Sequence, residues 1–318
     1  MTESVLSKQS KWWVLSLLTS LFHLVSCTAT VKPPVVREIE PEAGVLKAEL
    51  LKAELSSHEV VAGTLAVVKV SVPKSRTGEP IAGSFEGIEL PFFPTPELGT
   101  GVFSAVLGVP YERNPGPGKI FIKLGEGSSA SSLEIPFEIK EGDYPSEILK
   151  VDGRRVHPTQ KRDLLRIHAE QIEIGKVYNR TTPKKYWNGP FALPIESPIT
   201  SAFGTKRLYN GKLRNFHSGM DLKAAMNTPI YSGASGEVVL AKNLFYTGNT
   251  VIVDHGYGLI TLYCHLNRIK VKVGQVIQHH QLVGLSGMTG RVNGPHLHWQ
   301  AVAHHVKVNP LGLVQVLR

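Results

Sequence analysis

Five side chains that could bind or serve a metal ion lie in the last third of the chain. They are His217, Asp221, His265, His296 and His298. A catalytic zinc site takes three nitrogen or oxygen ligands from the protein and keeps one coordination position open for water. Two closely spaced ligand pairs can supply three such ligands and leave one histidine over. These residue types and their spacing predict a zinc hydrolase.

The spacing within each pair indicates how the side chains could converge. His296 and His298 are two residues apart, so both project from the same face of a β-strand. The offset of four from His217 to Asp221 aligns two side chains on a helix and, being even, also on an extended strand. Gly219 between them disfavours the helix. Spacing alone does not rank His296 against His298 as a ligand.

Other functional motifs are missing from the sequence or incomplete. It contains no His-Glu-x-x-His and no Gly-x-Ser-x-Gly, and Ser71-Val-Pro-Lys74 matches Ser-x-x-Lys without its companion motifs. No dinucleotide fingerprint or nucleic-acid module is present. The net charge of +9 suits an anionic wall polymer or lipid surface, and supports surface attraction only.

The last third also resembles a known family. His217-x-x-x-Asp221, His265 about midway and the run Gly294-Pro-His-Leu-His298 are similar to the lysostaphin or LytM-type (M23 family) zinc metallopeptidases, which cleave peptide bonds in bacterial peptidoglycan. The resemblance extends from about Phe191 to Leu311. Further ordered matches are Ser201-Ala-Phe-Gly204, Thr228-Pro-Ile230, Gly236-Glu-Val238, Thr247-Gly-Asn-Thr250 and Val273-Gly-Gln275.

The resemblance implies a role for each of the five residues. His217, Asp221 and His298 correspond to the metal ligands, while His265 and His296 correspond to the catalytic pair. The implied activity is a zinc metallo-endopeptidase that hydrolyses peptidoglycan cross-links by attack of a zinc-bound water. Two alternatives stay open: a non-catalytic wall-binding module that activates another wall hydrolase, and a secreted protease that acts on Gly-rich proteins. The complete set of five residues favours catalysis.

The amino terminus predicts export to the periplasm or cell envelope. Lys8 and Lys11 precede the apolar run Trp12 to Val25, as in a secretory signal over residues 1–27. The run closes on Leu24-Val-Ser-Cys27, which resembles a lipobox, so Cys27 is the predicted lipidation site and membrane anchor. Ordinary signal cleavage, for instance after Ala29, is the alternative. Residues 28–40 are then a tether.

The rest of the chain predicts a mainly β protein. Short apolar runs separated by turn residues predict a β-sandwich over residues 41–142, and they resemble an immunoglobulin-like domain. Residues 143–190 form a connector with one helix, whose apolar face would carry Leu165, Ala169 and Ile172 and which Gly175 would end. Residues 191–318 form the peptidase domain, in which the family implies an antiparallel sheet as the floor of a groove.

Three further residues of the peptidase region receive weaker expectations. Asn249 and Tyr263 are candidate substrate contacts, although a turn amide and a packed ring are equally good interpretations. Cys264 is adjacent to His265 in a strand-like run, so its side chain should point away from the site into apolar packing.

Overall fold

A computed structural model describes residues 50–149, 160–209 and 212–317. The predicted mainly β fold is confirmed. The signal segment 1–27, Cys27 and the tether lie outside the described residues. Within the described part of the chain, no helix is long and apolar enough to cross a membrane. The helices are α1 (Lys161–Tyr178), α2 (Leu311–Val316) and the short 3-10 turns Lys74–Arg76, Pro96–Leu98 and Gly127–Ser129.

Ten strands precede α1. They are β1 (Lys52–Leu55), β2 (Glu59–Val61), β3 (Leu65–Ser71), β4 (Ile81–Phe85), β5 (Ile88–Leu90), β6 (Phe93–Pro94), β7 (Val102–Gly108), β8 (Gly116–Leu124), β9 (Ser131–Lys140) and β10 (Ser146–Leu149). The first nine form two sheets, with strand orders β1-β3-β7-β6 and β2-β9-β8-β4-β5. All neighbours pair antiparallel except β2 and β9, which pair in parallel.

Strict alternation of side chains builds the core between these two sheets. In β8, Ile120, Ile122 and Leu124 are buried, whereas Lys119 and Lys123 between them face solvent. This period of two is the pattern expected of a strand with one buried face. The inward residues of both sheets form one apolar cluster that includes Val68, Val70, Phe85, Leu107 and Ile139.

Thirteen strands follow α1. They are β11 (Ile199–Ser201), β12 (Lys206–Tyr209), β13 (Lys212–Phe216), β14 (Met220–Lys223), β15 (Pro229–Tyr231), β16 (Gly236–Leu244), β17 (Gly248–Gly256), β18 (Leu259–Leu266), β19 (Arg268–Ile269), β20 (Val276–Ile277), β21 (Leu282–Leu285), β22 (His296–Ala303) and β23 (Val306–Val308). The main sheet has the order β11-β14-β22-β18-β17-β16-β20, with β23 beside β22.

The centre of the main sheet is buried on both faces. All eight residues of β18 are buried, and five of its side chains divide between two apolar clusters. One cluster contains Tyr263 and Trp299, and the other contains Leu262 and Cys264. A strand covered on both faces has few ways to shift, so β18 and β22 form a rigid base for the residues at their ends.

The connector helix differs from its prediction in length and in orientation. It continues through Gly175 to Tyr178, because a glycine within a helix costs only about 1 kcal/mol and the packing of the last turn can offset it. The predicted face of Leu165, Ala169 and Ile172 is exposed. The buried face instead carries Ile167, and the end of α1 packs on the main sheet through Ile174, Val177 and Tyr178.

The β-sandwich contacts the main sheet directly. The Nε2 atom of His304 is hydrogen-bonded to the carbonyl oxygen of Val106 at 2.8 Å. The ring of Tyr111 stacks on that of Phe216 with 4.0 Å between centroids, and its hydroxyl donates to the carbonyl of Gly204. Since Phe216 precedes His217, these contacts support the segment that enters the candidate site.

Candidate metal centre and groove

Three of the predicted residues converge near one edge of the main sheet. Asp221 on β14 stands directly opposite His298 on β22, and His217 lies just before β14. The Oδ1 atom of Asp221 is 3.1 Å from Nε2 of His217 and 2.8 Å from Nδ1 of His298, and the two nitrogens are 3.0 Å apart. These atoms could hold one metal ion.

Gly219 permits this close approach. A Cβ atom at this position would lie 2.6 Å from the carbonyl oxygen of Trp299 and 2.7 Å from the imidazole of His298. Any side chain would therefore displace His298 or the strand that carries it. Close packing against β22 therefore requires a glycine at position 219, which also disfavours a helix.

The hydrogen bonds around His217 orient it as a ligand. Its Nδ1 atom is 3.0 Å from the carbonyl oxygen of Ala202. Because a carbonyl can only accept, Nδ1 carries the proton and Nε2 presents its lone pair to Asp221 and His298. Such an outer hydrogen bond fixes the tautomer and raises the basicity of a metal-binding histidine. Two imidazole nitrogens and one carboxylate oxygen are the ligand chemistry of a catalytic zinc site, so these residues fit the metal.

The electrostatics keep the cluster in its metal-binding protonation state. Burial acts to raise the pKa of the Asp221 carboxyl, but the adjacent imidazoles of His217 and His298 outweigh it and hold that pKa well below its usual range. Burial lowers the pKa of His298, against the opposing effect of Asp221. A carboxylate beside an imidazole that resists protonation is the state that binds a cation.

His265 lies beside the cluster on a β-bulge. Between the pairs Val251 with Tyr263 and Asn249 with Leu266, β18 has two residues opposite one residue of β17. His265 takes a positive φ of 61°, which is uncommon for a residue with a Cβ atom and is a form of strain often found at functional sites. Because the bulge bends the strand at this point, the side chain of Cys264 can pack in the apolar core while that of the adjacent His265 lies beside the metal cluster.

The ring of His265 is held neutral with one nitrogen available. Burial, followed by the neighbouring His298, lowers its pKa to about 3. Its Nδ1 atom is 2.9 Å from the carbonyl oxygen of Thr289, so Nδ1 donates and Nε2 has no proton. The lone pair of the neutral ring therefore lies on Nε2, the position from which an imidazole can accept a hydrogen bond or a proton.

His296 completes the cluster from the first position of β22. Its ring centroid is 4.9 Å from that of His265, and its Nε2 atom is 3.7 Å from Oδ1 of Asp221. Its Nδ1 atom faces the carbonyl oxygen of Gly294 at 2.9 Å. The longer distance to Asp221 sets His296 apart from His217 and His298, which lie about 3 Å from the same oxygen.

These five residues lie in an open groove with a volume of about 1240 Å³. Its walls come from the strand pair β12 and β13, the segments 245–247 and 290–295, and the start of α1. Cationic groups predominate among the charged side chains beyond the metal cluster: Arg166, Arg207, Lys223 and Arg291, beside Glu147 and Asp163. A groove of this form suits an extended, negatively charged chain.

The two weaker substrate candidates do not line this groove. Tyr263 is fully buried, and its hydroxyl accepts hydrogen bonds from the backbone of Gly233 and from Thr261. The prediction of a substrate contact at Tyr263 is therefore wrong. The side-chain amide of Asn249 accepts from Asn243 and donates to the carbonyl of Asn267, so Asn249 is also a structural residue. Cys264 is a buried free thiol in the apolar cluster behind the sheet.

Sequence reasoning missed the groove residues that precede the predicted peptidase domain, and it missed Arg207. Glu147 on β10 and three residues at the start of α1, namely Gln160, Asp163 and Arg166, line the groove although they belong to the connector. Arg207 lies 3.8 Å from Asp221, measured from Nη2 to Oδ2. No local motif marks these positions, because their place depends on pairing between distant strands.

Known proteins share both the site region and the wider fold. Residues 215–310 match the model of peptidase family M23. A segment of 121 residues is 40% identical to the peptidoglycan DD-endopeptidase ShyA of Vibrio cholerae, over 37% of this chain and 28% of that protein. A segment of 192 residues is 35% identical to the peptidoglycan DD-endopeptidase ShyB of the same organism, over 59% and 40% respectively. The chain thus spans less than half the length of these two relatives.

One solved structure is similar over most of the chain. It is a crystal structure from Pseudomonas aeruginosa assigned to peptidase M23, with 29% identity and a TM-score of 0.61. The match covers 80% of this chain and 94% of that chain. The shared architecture therefore includes strands that precede residue 215.

Proposed function

We propose that this chain, in which residues 215–310 form a peptidase family M23 domain, is a zinc metallo-endopeptidase that hydrolyses peptide cross-links of bacterial peptidoglycan. The observation that carries the proposal is the convergence of His217, Asp221 and His298, with the bare Nε2 atoms of His265 and His296 beside them. A site that only bound the wall would not need two additional unpaired imidazole nitrogens next to a metal cluster.

The residues divide between holding a metal and moving protons. His217, Asp221 and His298 would hold zinc, which when bound lowers the pKa of a coordinated water and polarises a carbonyl oxygen. His265 donates from Nδ1 to a backbone carbonyl, so its Nε2 atom can take a proton from the attacking water. The imidazolium formed is a donor and can pass that proton to the departing amine. His296 presents its Nε2 atom in the same way, 3.7 Å from Oδ1 of Asp221.

The names of the relatives support the substrate class. Both ShyA and ShyB are peptidoglycan DD-endopeptidases, and the open groove with its excess of cationic side chains suits the peptide part of an anionic wall polymer. We therefore propose peptidoglycan as the polymer and the cross-linking peptide as the segment cleaved. In a wall cross-linked through diaminopimelate, the bond from D-Ala to diaminopimelate is the expected one.

Digestion of purified sacculi tests this function. The protein should convert cross-linked dimeric muropeptides into monomers, and a chelator should abolish the conversion until zinc is restored. Separation of the muropeptides by liquid chromatography with mass spectrometry measures the result and identifies the bond. Zinc-loaded protein that binds sacculi without releasing monomers would contradict the proposal and favour an activator. Cleavage of a Gly-rich protein in a parallel digest, with sacculi untouched, would favour the secreted protease.

We also propose that the protein is exported to the cell envelope and anchored to a membrane through a lipid on Cys27. The supporting features are the lipobox-like Leu24-Val-Ser-Cys27 and a substrate that lies outside the cytoplasm. Cys27→Ala should move the protein from the membrane fraction to the soluble fraction, while Thr30→Ala should leave it with membranes. Fractionation and immunoblotting measure this. Unchanged membrane association of Cys27→Ala would favour ordinary signal cleavage and another means of attachment.

A further inference from the structure

Arg207 has an unusual environment beside the metal cluster. Its Nε atom is buried and has no hydrogen-bond partner within the described chain. Its Nη2 atom is 3.8 Å from Oδ2 of Asp221, about 1 Å longer than a charge-assisted hydrogen bond. A buried donor without a partner is costly and requires an explanation. The side chain as a whole keeps 27% of its surface exposed and lines the groove, so a ligand there can reach the guanidinium.

The side chain is presented by a braced three-stranded sheet. Arg207 on β12 is paired in register with Glu147 on β10 and with Asn215 on β13. All three side chains line the groove. At the end of β13, the ring of Phe216 is stacked on Tyr111 of the β-sandwich. A guanidinium on such a support is preorganised, so less binding energy is lost in ordering it.

The other two arginines of the groove have different partners. Arg166 is paired with Glu170 and donates to Asn243. Arg291 lies over the ring of Tyr246, 4.4 Å from its centroid. Among the described lysine and arginine residues, only Arg207 lies within 4.0 Å of Asp221. Arg207 is therefore the cation that a substrate would meet next to its scissile bond.

The chemistry of the proposed substrate supplies an anion at that place. In a D-Ala to diaminopimelate cross-link, the scissile nitrogen is bonded to a D-configured carbon that also bears a carboxylate. Because both groups share one carbon atom, a scissile amide at the metal cluster brings the carboxylate within a few ångströms of it. The planar guanidinium has the donor geometry that a carboxylate accepts in two parallel hydrogen bonds.

We propose that Arg207 binds the carboxylate carried by the same carbon as the scissile nitrogen, and that it selects cross-links in which this carboxylate is free. The inference rests on the proposed function and adds a specificity residue to it. Amidation of that carboxylate would remove the charge and one acceptor oxygen. It would leave the half-buried guanidinium without its partner, which is a strong basis for rejecting a substrate.

Calorimetry with two matched probes tests the proposal without requiring turnover. The probes are the tripeptide L-Ala–D-Glu–meso-diaminopimelate with the D-centre carboxylate either free or amidated. Zinc-loaded wild-type protein should bind the free form roughly tenfold to a hundredfold more tightly, as expected for a charged hydrogen-bonded pair. Arg207→Gln should lose this preference. Arg207→Lys should keep part of this preference, because the positive charge remains but the two parallel donors of the guanidinium are lost.

Arg268→Gln is the matched control, since Arg268 is an exposed arginine of the same region that does not line the groove. It should bind both probes as the wild type does. Equal binding of the two probes by the wild type would overturn the proposal. An Arg207→Gln variant that loses zinc, or whose affinity falls equally for both probes, would also overturn it, because Arg207 would then act through Asp221. If Arg207→Gln does not fold, Arg207→Lys decides the question. Digestion of sacculi by the wild type reports separately on the proposed function.

Discussion

Replacing His298 with alanine is expected to remove zinc and activity together. The substitution leaves His217 and Asp221 as the only protein ligands, and two ligands do not make a tetrahedral protein site. Loss of an outer-shell partner already weakens metal affinity by roughly 10-fold to 100-fold, so loss of a ligand should weaken it by more than about 100-fold. Zinc content by atomic spectroscopy and release of monomeric muropeptides should both fall to background.

The same variant should lose the stabilisation that zinc gives to the fold. Ligand present at about a thousand times its Kd stabilises the native state by ~4 kcal/mol, because it binds the folded protein and not the unfolded chain. Added zinc should therefore raise the Tm of the wild type and leave that of His298→Ala unchanged. His279→Ala is the control, since His279 is exposed and lies outside the groove. A His298→Ala protein with one equivalent of zinc would exclude His298 from the ligand set.

The strands could be predicted because local pattern determines them, whereas the choice of metal ligands among the histidines came from the family resemblance. Alternation along β8 and the even spacing of His296 and His298 follow directly from strand geometry. Propensity was a weaker guide. The segment Lys52–Leu55 has a helix-favouring composition and forms strand β1, because it pairs along its whole length with β3. Tertiary pairing overrides intrinsic preference in such segments.

What could not be predicted depends on contacts between distant parts of the chain. Arg207 reaches the cluster because β10 from the connector pairs beside β12, and no property of either segment alone indicates that register. The orientation of α1 is a similar case. Its exposed Leu165 and buried Ile167 are two residues apart in sequence, and only the sheet on which the helix packs decides between the two faces. For Tyr263, the sequence left both roles open, and burial excluded substrate contact.

Replacing His265 with alanine is expected to separate catalysis from metal binding. His265 lies beside the cluster but outside the group formed by His217, Asp221 and His298, so zinc should remain bound at one equivalent. Turnover should fall by roughly a hundredfold or more, because a positioned general base contributes about that factor. Zinc content and muropeptide release, measured side by side, give the result, and His279→Ala again serves as the control.

The expected role of His265 in catalysis rests on the hydrogen bond that its Nδ1 atom makes to the backbone. The carbonyl of Thr289 holds the proton on Nδ1 of His265, so the lone pair of the ring lies on Nε2. His296→Ala should behave in the same way, because its Nδ1 atom is also bonded to a backbone carbonyl. If either substitution lost zinc as His298→Ala does, that histidine would be a ligand. Undiminished turnover in His265→Ala would remove it from the mechanism.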